Sequence, residues 1–258
     1  EVVPLFLILR AFISAGQAGT GFMSLAMQVA GRLRAGIAKV SVVSSALYGT
    51  ISGVAAANTA STGMITIPAM KQRGYPPSFA AALEAVASTG GQIMPPIMGA
   101  GVFIMGELLR TPYTEIMVAA TLPAVLFFAT AWMGAHVYAL RYDLRGLSRD
   151  ELPGWAVVAK TVPFFLVPFA ILIGSLAFTS YTLSFAAVFA TVATWLMLFL
   201  QESGSISLKG WWDRTQQALI SASRQIATIA AIIICAGIIV GVFNMTGLGV
   251  KLASLILS

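Results

Sequence analysis

Charged residues, cysteines and histidines are scarce in this sequence of 258 residues, and each shortage excludes a class of protein. Only 9% of the residues are charged, whereas a soluble domain carries roughly 25%. A single cysteine, Cys235, excludes a disulfide framework and a thiolate metal site. The single histidine, His136, has no second histidine for a zinc site, so we expect it to pack near a helix end.

Long apolar runs are what the sequence has instead. Hydrophobic residues make up 58% of the chain, and runs such as 162–178 and 183–200 approach the ~20 residues that a helix needs to cross a membrane. The net charge of +6 comes from basic residues in short loops between these runs, which favours a role in membrane orientation over nucleic-acid binding. The sequence therefore predicts an all-α polytopic membrane protein.

Residues 40–71 are too few to cross the membrane twice, although the charges at their two ends place both ends on the same side. Lys39 precedes this segment, and Lys71 and Arg73 lie at its other end, so both ends are predicted to face the cytoplasm. Two full spans need ~40 residues plus a turn, which residues 40–71 do not provide. We therefore predict a re-entrant helical hairpin that turns near 52–58 and leaves on the side where it entered.

The rest of the chain is divided by its loops and charges. Its start without methionine and its end inside an apolar run suggest a fragment of a longer protein. The predicted order is a helix end and an interfacial arm helix (1–39), the hairpin (40–71), a discontinuous helix with the following span (78–140), a cytoplasmic loop (141–153), a helical pair (154–200), an interfacial amphipathic helix (201–224) and the truncated start of a second repeat (225–258).

A second irregular element lies in the stretch VASTGGQIMPPIMGAG at 86–101. Pro95 and Pro96 lack backbone N–H donors and clash with the preceding helical turn. The sequence therefore predicts two half-helices, about 78–89 and 97–109, joined by an unwound segment. Unpaired backbone groups cost several kcal/mol each in lipid, so such a break persists only where protein or a water-filled cavity surrounds it.

The composition of the two irregular elements indicates a binding centre. Exposed carbonyls and hydroxyls suit Na⁺, and a helix N-terminus suits a carboxylate. Ser88 and Thr89 add hydroxyl oxygens at the break, and Gln92 adds an amide. For any single hydroxyl residue, close helix packing is an equally good explanation. The hairpin tip has the same makeup, with glycines and polar residues at Gly49, Gly53, Gly63, Thr50, Ser52, Asn58, Thr59, Ser61 and Thr62.

Glu84 is an isolated carboxylate in the helix that leads to the break. A buried carboxylate must be paired, protonated or placed in a wet cavity, which would suit a role in coupling. A position near the cytoplasmic end, where the side chain reaches water, fits the sequence equally well.

Two motifs, GTISGVAAANTASTGMITIPAMKQRGY and EAVASTGGQIMPPIMGAGVFIMGELL, resemble the large membrane subunit of tripartite ATP-independent periplasmic (TRAP) transporters. The chain is most similar to the fused permeases of the TAXI branch. The resemblance implies an elevator-type fold of two inverted repeats, each with a re-entrant hairpin and a discontinuous helix. It also implies Na⁺-coupled uptake of an organic acid across a bacterial or archaeal inner membrane, with H⁺ as the other possible coupling ion.

The resemblance also implies partners and site residues. The expected partners are a periplasmic substrate-binding protein and a small membrane subunit, fused or separate, and no enzymatic activity is expected. Family members often carry an acidic residue at the hairpin tip, where this chain has Asn58. The second hairpin and second broken helix are expected beyond this sequence. The first half-site maps to Ser52, Gly53, Asn58, Thr59, Ser88, Thr89, Gly90, Gly91, Gln92, Pro95 and Pro96, with Na⁺ held by backbone carbonyls and hydroxyls near Ser52, Asn58, Ser88 and Thr89.

Three other functions are compatible with parts of the sequence. A Na⁺/dicarboxylate-type symporter with similar hairpins would need no binding protein. A membrane-embedded enzyme would need paired aspartates, a Ser–His pair or a histidine metal site at depth. The single histidine is near a helix end and the aspartates are in loops or at the interface, so this function is discounted. A purely structural membrane subunit would leave the broken helix without a purpose.

Overall fold

The computed structural model describes residues 2–16, 18–178, 182–199 and 208–247, and the secondary structure in these ranges is all helical, as predicted. Short 3₁₀ turns occur at Gly91–Ile93 and Arg149–Glu151. The α-helices are α1 (Val2–Ala15), α2 (Ala18–Ala30), α3 (Gly36–Ser52), α4 (Ala55–Gln72), α5 (Pro77–Gly90), α6 (Ala100–Leu109), α7 (Tyr113–Arg141), α8 (Trp155–Thr161), α9 (Pro163–Phe178), α10 (Leu183–Met197) and α11 (Leu208–Thr246).

Helices α3 and α4 form a hairpin with a two-residue turn, Gly53 and Val54. The turn falls at the start of the predicted 52–58 window. Gly53 adopts φ +52°, and its N–H donates to the carbonyl of Gly49 at 3.2 Å. A Cβ at this position would lie 2.0 Å from the Met98 carbonyl oxygen, so only glycine fits the turn. With 17 residues, α3 is ~25 Å long, shorter than a ~30 Å hydrocarbon core.

The helix after the hairpin is broken, close to where the prolines predict it. Helix α5 continues into the 3₁₀ turn, and the backbone is then irregular from Met94 to Gly99. The bond between Pro95 and Pro96 is cis. The second half-helix, α6, begins three residues later than predicted, because Met98 takes a left-handed conformation (φ +57°) that no α-helix contains.

Small residues let α7 pack against the hairpin and α5. Ala131, Ala135 and Ala139 are buried at four-residue spacing along one face of α7, in a core shared with residues of α2, α3 and α5. Alanines at this spacing allow close helix approach without large side chains. A second core joins α1, α2, α9 and α10, where the rings of Phe22 and Phe165 lie 4.5 Å apart. The hairpin is thus held between two helical groups.

The loop between α7 and α8 contacts both ends of the hairpin. At the α3 end, the N–H of Leu147 donates to the Gly31 carbonyl at 2.7 Å. At the α4 end, Arg73 forms an ion pair with Glu151 and donates to the Gly146 carbonyl at 3.3 Å. Hydrogen bonds from the Ser148 N–H and from Arg73 lower the pKa of Glu151 to about 2. The loop between α7 and α8 therefore closes the open end of the hairpin.

Within the described ranges, two helices are long and apolar enough to cross a membrane, α7 and the Leu208–Phe243 part of α11. Two bent pairs pass the same test as single broken spans, α1 with α2 (70°) and α8 with α9 (49°). Sequence analysis separates an interfacial helix (201–224) from a span (225–258). The structure instead has continuous α11, since no glycine pair or proline interrupts the junction. Residues 201–207 and 248–258 lie outside the described residues.

We expect Gly49→Ala to destabilise the protein. A Cβ at Gly49 would lie 2.3 Å from the Gly91 Cα, and backbone cannot move aside as a flexible side chain can. Overpacking of this kind costs ~1–3 kcal/mol, so the thermal unfolding midpoint of the full-length protein in detergent should fall. Gly134→Ala is the control, because a Cβ there meets nothing within 4 Å and alanine favours the helix. An unchanged midpoint for Gly49→Ala would contradict the packing described above.

Candidate functional site

The hairpin tip and the helix break are in direct contact. Gly49 on α3 lies against Gly91 in the 3₁₀ turn, and Gly53 lies against the backbone of Met98 and Gly99. Asn58, at the start of α4, is fully buried beside Gly91 and donates from Nδ2 to the Ser45 carbonyl at 2.8 Å. The two segments that sequence analysis singles out therefore form one structural centre.

The irregular backbone of the break is satisfied by protein groups. The Gly99 N–H donates to the Gln92 carbonyl at 2.7 Å, which closes the loop. The hydroxyl of Tyr113, at the start of α7, lies 2.8 Å from the Pro96 carbonyl oxygen and 2.7 Å from that of Ile97. Sequence reasoning missed Tyr113, although a tyrosine just after the broken helix is a suitable donor for carbonyls left unpaired by prolines.

The predicted site residues divide into buried and exposed groups. Ser88 is buried, whereas Thr89 is exposed and donates to the Ala85 carbonyl at 2.8 Å within its own helix. Gln92 is also exposed, and its carbonyl rather than its amide takes part in the break. Thr59 and Pro95 are half-buried. The buried members are Ser52, Gly53, Asn58, Ser88, Gly90, Gly91 and Pro96.

A fully buried carboxylate, Glu84, lies at the centre of the interface between the hairpin and α5. Three helices surround it, and two of them present hydroxyls at four-residue spacing. From α3, Ser41 donates to Oε2 at 2.6 Å and Ser45 donates to Oε1 at 2.9 Å. From α4, Thr62 and Thr66 donate to Oε1 and Oε2, respectively. The structure thus decides the question left open for Glu84: it does not reach water.

Hydroxyl donors stabilise this carboxylate without a counter-charge. Among the described side chains, the ion pairs are Arg34–Asp143 and Arg73–Glu151, so none involves Glu84. A buried carboxylate is costly unless hydrogen bonds replace its hydration. Four buried hydroxyls of the hairpin do so here, together with the Ser88 hydroxyl of α5, which lies 3.4 Å from Oε1. Both arms of the hairpin are therefore fastened to α5 through one side chain.

The same cluster can also accept a protonated Glu84. The Thr62 hydroxyl lies 2.8 Å from the Asn58 carbonyl oxygen, and the Thr66 hydroxyl lies 3.0 Å from the Thr62 carbonyl oxygen. Each threonine can therefore turn to its own helix and leave a lone pair for a carboxylic acid proton. The geometry is compatible with Glu84 in either protonation state.

Transition-metal chemistry has no support in the part of the chain that the structure describes. No group of three or more histidine, cysteine, aspartate or glutamate side chains there could hold a metal ion. His136 lies 3.2 Å from the Lys39 amine through Nδ1, in the packed interface of α3 and α7. Oxygen ligands from backbone, hydroxyl and amide groups are what the site offers a cation.

Comparison with known proteins identifies the family. The family model described as "Tripartite ATP-independent periplasmic transporter, DctM component" matches residues 1–258. The chain belongs to this family. It is therefore an integral membrane protein of the TRAP large-permease kind, and the resemblance to that subunit is confirmed. The TAXI branch stays a prediction.

Several curated relatives are transporter permeases. The chain is 26% identical over 206 residues to the C4-dicarboxylate TRAP transporter large permease protein DctM of Pseudomonas aeruginosa, covering 80% of this chain and 48% of the relative. It is 28% identical over 160 residues to the ectoine/5-hydroxyectoine permease UehC of Ruegeria pomeroyi, covering 62% and 36%. It is 28% identical over 149 residues to the isethionate permease DctMQ of Oleidesulfovibrio alaskensis, covering 58% and 23%. The matches cover half or less of each relative's length.

We expect the hydroxyl cluster of the permease to be energetically coupled to Glu84. Thr66→Val should cost ~1.5–3 kcal/mol, because a buried charged group loses a hydrogen-bond donor. In a Glu84→Gln background, the same change should cost less. The measurement is a double-mutant cycle on the unfolding free energy of the full-length protein.

Thr121→Val on α7 is the matched control for this cycle. Thr121 is exposed and donates to the Met117 carbonyl at 2.9 Å, so its replacement should change the unfolding free energy by under ~0.5 kcal/mol. If Thr66→Val is no more costly than Thr121→Val, the cluster contributes nothing specific to stability.

Proposed function

We propose that this chain is the first half of a Na⁺-coupled permease that takes up an organic acid delivered by a periplasmic binding protein. The observation that carries the proposal is the contact between the hairpin tip and the helix break, where Gly49 meets Gly91. Transporters use such unwound elements because they offer backbone groups to a ligand at membrane depth.

Convergence of two helix C-termini supports Na⁺ as the coupling ion. The last turn of α3 and the last turn of α5 each form the negative end of a helix dipole. Some of their carbonyls already accept a hydrogen bond from the residue that follows the helix: Gly49 from the Gly53 N–H, and Ser88 and Thr89 from the Gly91 N–H. The Gly49–Gly91 contact brings these ends together. Buried Ser52, Asn58 and Ser88 add side-chain oxygens at the same place. The Thr89 hydroxyl contributes less, because it is exposed on a different side of α5 from the buried Ser88.

The relatives support the substrate class and the partners. One relative is named as a C4-dicarboxylate permease, which favours a carboxylate as the cargo of this chain as well. The family description is tripartite and periplasmic, which supports a binding protein and a small membrane subunit as partners. We also propose that the permease belongs to the TAXI branch. Its proposed location is a bacterial or archaeal inner membrane.

The length of the hairpin and the loop that closes it support re-entry. Helix α3 is ~25 Å long, which is short for a ~30 Å core. The loop between α7 and α8 meets both ends of the hairpin and carries Arg145 and Arg149, as expected if both ends face the cytoplasm. Glu84 joins the hairpin to α5, so the two elements would travel as one body in an elevator movement.

The experiment is uptake of a radiolabelled organic acid into proteoliposomes that contain the full-length transporter. Uptake should need both an inward Na⁺ gradient and the binding protein. Uptake without the binding protein would favour the Na⁺/dicarboxylate-type symporter. Uptake driven by a pH gradient without Na⁺ would refute Na⁺ coupling and favour H⁺ as the coupling ion.

We expect Ser88→Ala to raise the Na⁺ concentration for half-maximal uptake about fivefold, which corresponds to ~1 kcal/mol for one lost ligand among several. Thr89→Ala, one residue away, is the control and should leave this concentration unchanged. Equal effects of the two substitutions would argue against an ion site on the buried face of α5.

A further inference from the structure

A polar cavity of about 360 Å³ lies at the side of the hairpin tip that faces α1, α2 and α11. The volume equals about a dozen water molecules at ~30 Å³ each, which suits a small organic anion. Its wall includes Ser52, the last residue of α3, so the cavity adjoins the proposed ion site. The cavity is separate from the hydroxyl cluster, because none of the hydroxyl residues that donate to Glu84 lines it.

The cavity contains one cationic side chain, Arg10 of α1. Arg10 lies in the apolar sequence PLFLILRAFISA, and its side chain is half-buried. No carboxylate pairs with it among the side chains that the structure describes, where the ion pairs are Arg34–Asp143 and Arg73–Glu151. An unpaired cation at membrane depth is costly and normally faces a water-filled path or a ligand. The charge of Arg10 is therefore available to whatever fills the cavity.

A second observation points to a ligand independently of charge. Gln225 of α11 also lines the cavity, and its Nε2 donates to the Ser221 hydroxyl at 2.9 Å. Its Oε1 is buried and has no hydrogen-bond partner in the described part of the chain. A buried amide oxygen without a donor costs ~1–3 kcal/mol, so the occupant of the cavity should supply one, for example a hydroxyl or amine elsewhere on the molecule that carries the anionic group.

Hydroxyls complete the wall of the cavity. The Ser61 hydroxyl donates to Tyr48 Oη at 2.9 Å, which leaves the Tyr48 hydrogen free to be donated elsewhere. A guanidinium beside such a hydroxyl is the donor set that a carboxylate requires, since its fork of N–H groups matches both oxygens.

We propose that Arg10 binds the carboxylate of the transported organic acid in this cavity, with Tyr48 as a second donor. The proposal rests on the proposed function, because it assigns the substrate position of that same permease. A carboxylate on Arg10 would lie near the hairpin tip, where Na⁺ is proposed to bind. Opposite charges in neighbouring sites would make each ligand favour binding of the other.

The first experiment measures ligand binding to the full-length transporter in detergent. Acetate, succinate and citrate are the probes, succinamide is the neutral control, and the readout is the thermal unfolding midpoint as a function of probe concentration. At least one of the carboxylates should stabilise the wild type in a saturable manner, and succinamide should not. If none of the three does so, the proposal is overturned.

Variants then assign the effect to Arg10. Arg10→Gln should raise the half-saturating carboxylate concentration roughly tenfold or more, because a charge-assisted bond is lost. Arg10→Lys should have a smaller effect, since it keeps the charge but not the fork. Arg145→Gln, at an exposed loop position, should behave as wild type. Unchanged carboxylate binding by Arg10→Gln would refute the site.

Tyr48→Phe keeps the test decisive if Arg10→Gln does not fold. It removes one donor at little change in volume, so it should weaken carboxylate binding several-fold. Equal binding by this variant and the wild type would count against the cavity.

Uptake assays separate this proposal from the proposed function. If wild-type proteoliposomes show no Na⁺-driven uptake, yet a carboxylate stabilises the wild type and not Arg10→Gln, transport is refuted and the anion site stands. If Arg10→Gln shows normal Na⁺-driven uptake with an unchanged half-saturating substrate concentration, transport stands and the anion site is refuted.

Discussion

One buried carboxylate organises the part of the chain that carries the candidate site. Glu84 is fully buried and has no cationic partner among the described side chains, so its carboxylate depends on hydroxyls from both arms of the hairpin. Removing water from a carboxylate costs far more than one neutral hydrogen bond returns, and several donors must therefore converge. This requirement fixes the rotation of α3 and α4 about their axes and their register against α5.

With α3 and α4 in this register, the tip of the hairpin lies against the helix break. The tip reaches the helix break at a distance that only glycine permits, at Gly49 and Gly53. The break in turn is held open by Tyr113 and by the bond from Gly99 to Gln92, not by flexible backbone. A preformed set of carbonyls is what a small cation needs, because the ion then does not have to order its own site.

The acidic side chain and the basic side chain next to the hairpin belong to different helices. Glu84 lies on α5, fastened to the hairpin, whereas Arg10 lies on α1 and lines the polar cavity at the tip. Glu84 holds the hairpin to α5, and Arg10 places a positive charge in the wall of the cavity beside the hairpin tip.

The sequence by itself determined the helical membrane class, the hairpin and the position of the break, because prolines, paired glycines and charge-free runs act on the backbone locally. The buried face of α5 was only partly determined: adjacent Ser88 and Thr89 look alike in sequence, yet one is buried and the other exposed. Only the tertiary structure decided that Glu84 avoids water, that Tyr113 caps the break and that Arg10 meets the hairpin tip. These contacts join residues distant along the chain, and their energies depend on which helices pack together, which no local pattern encodes.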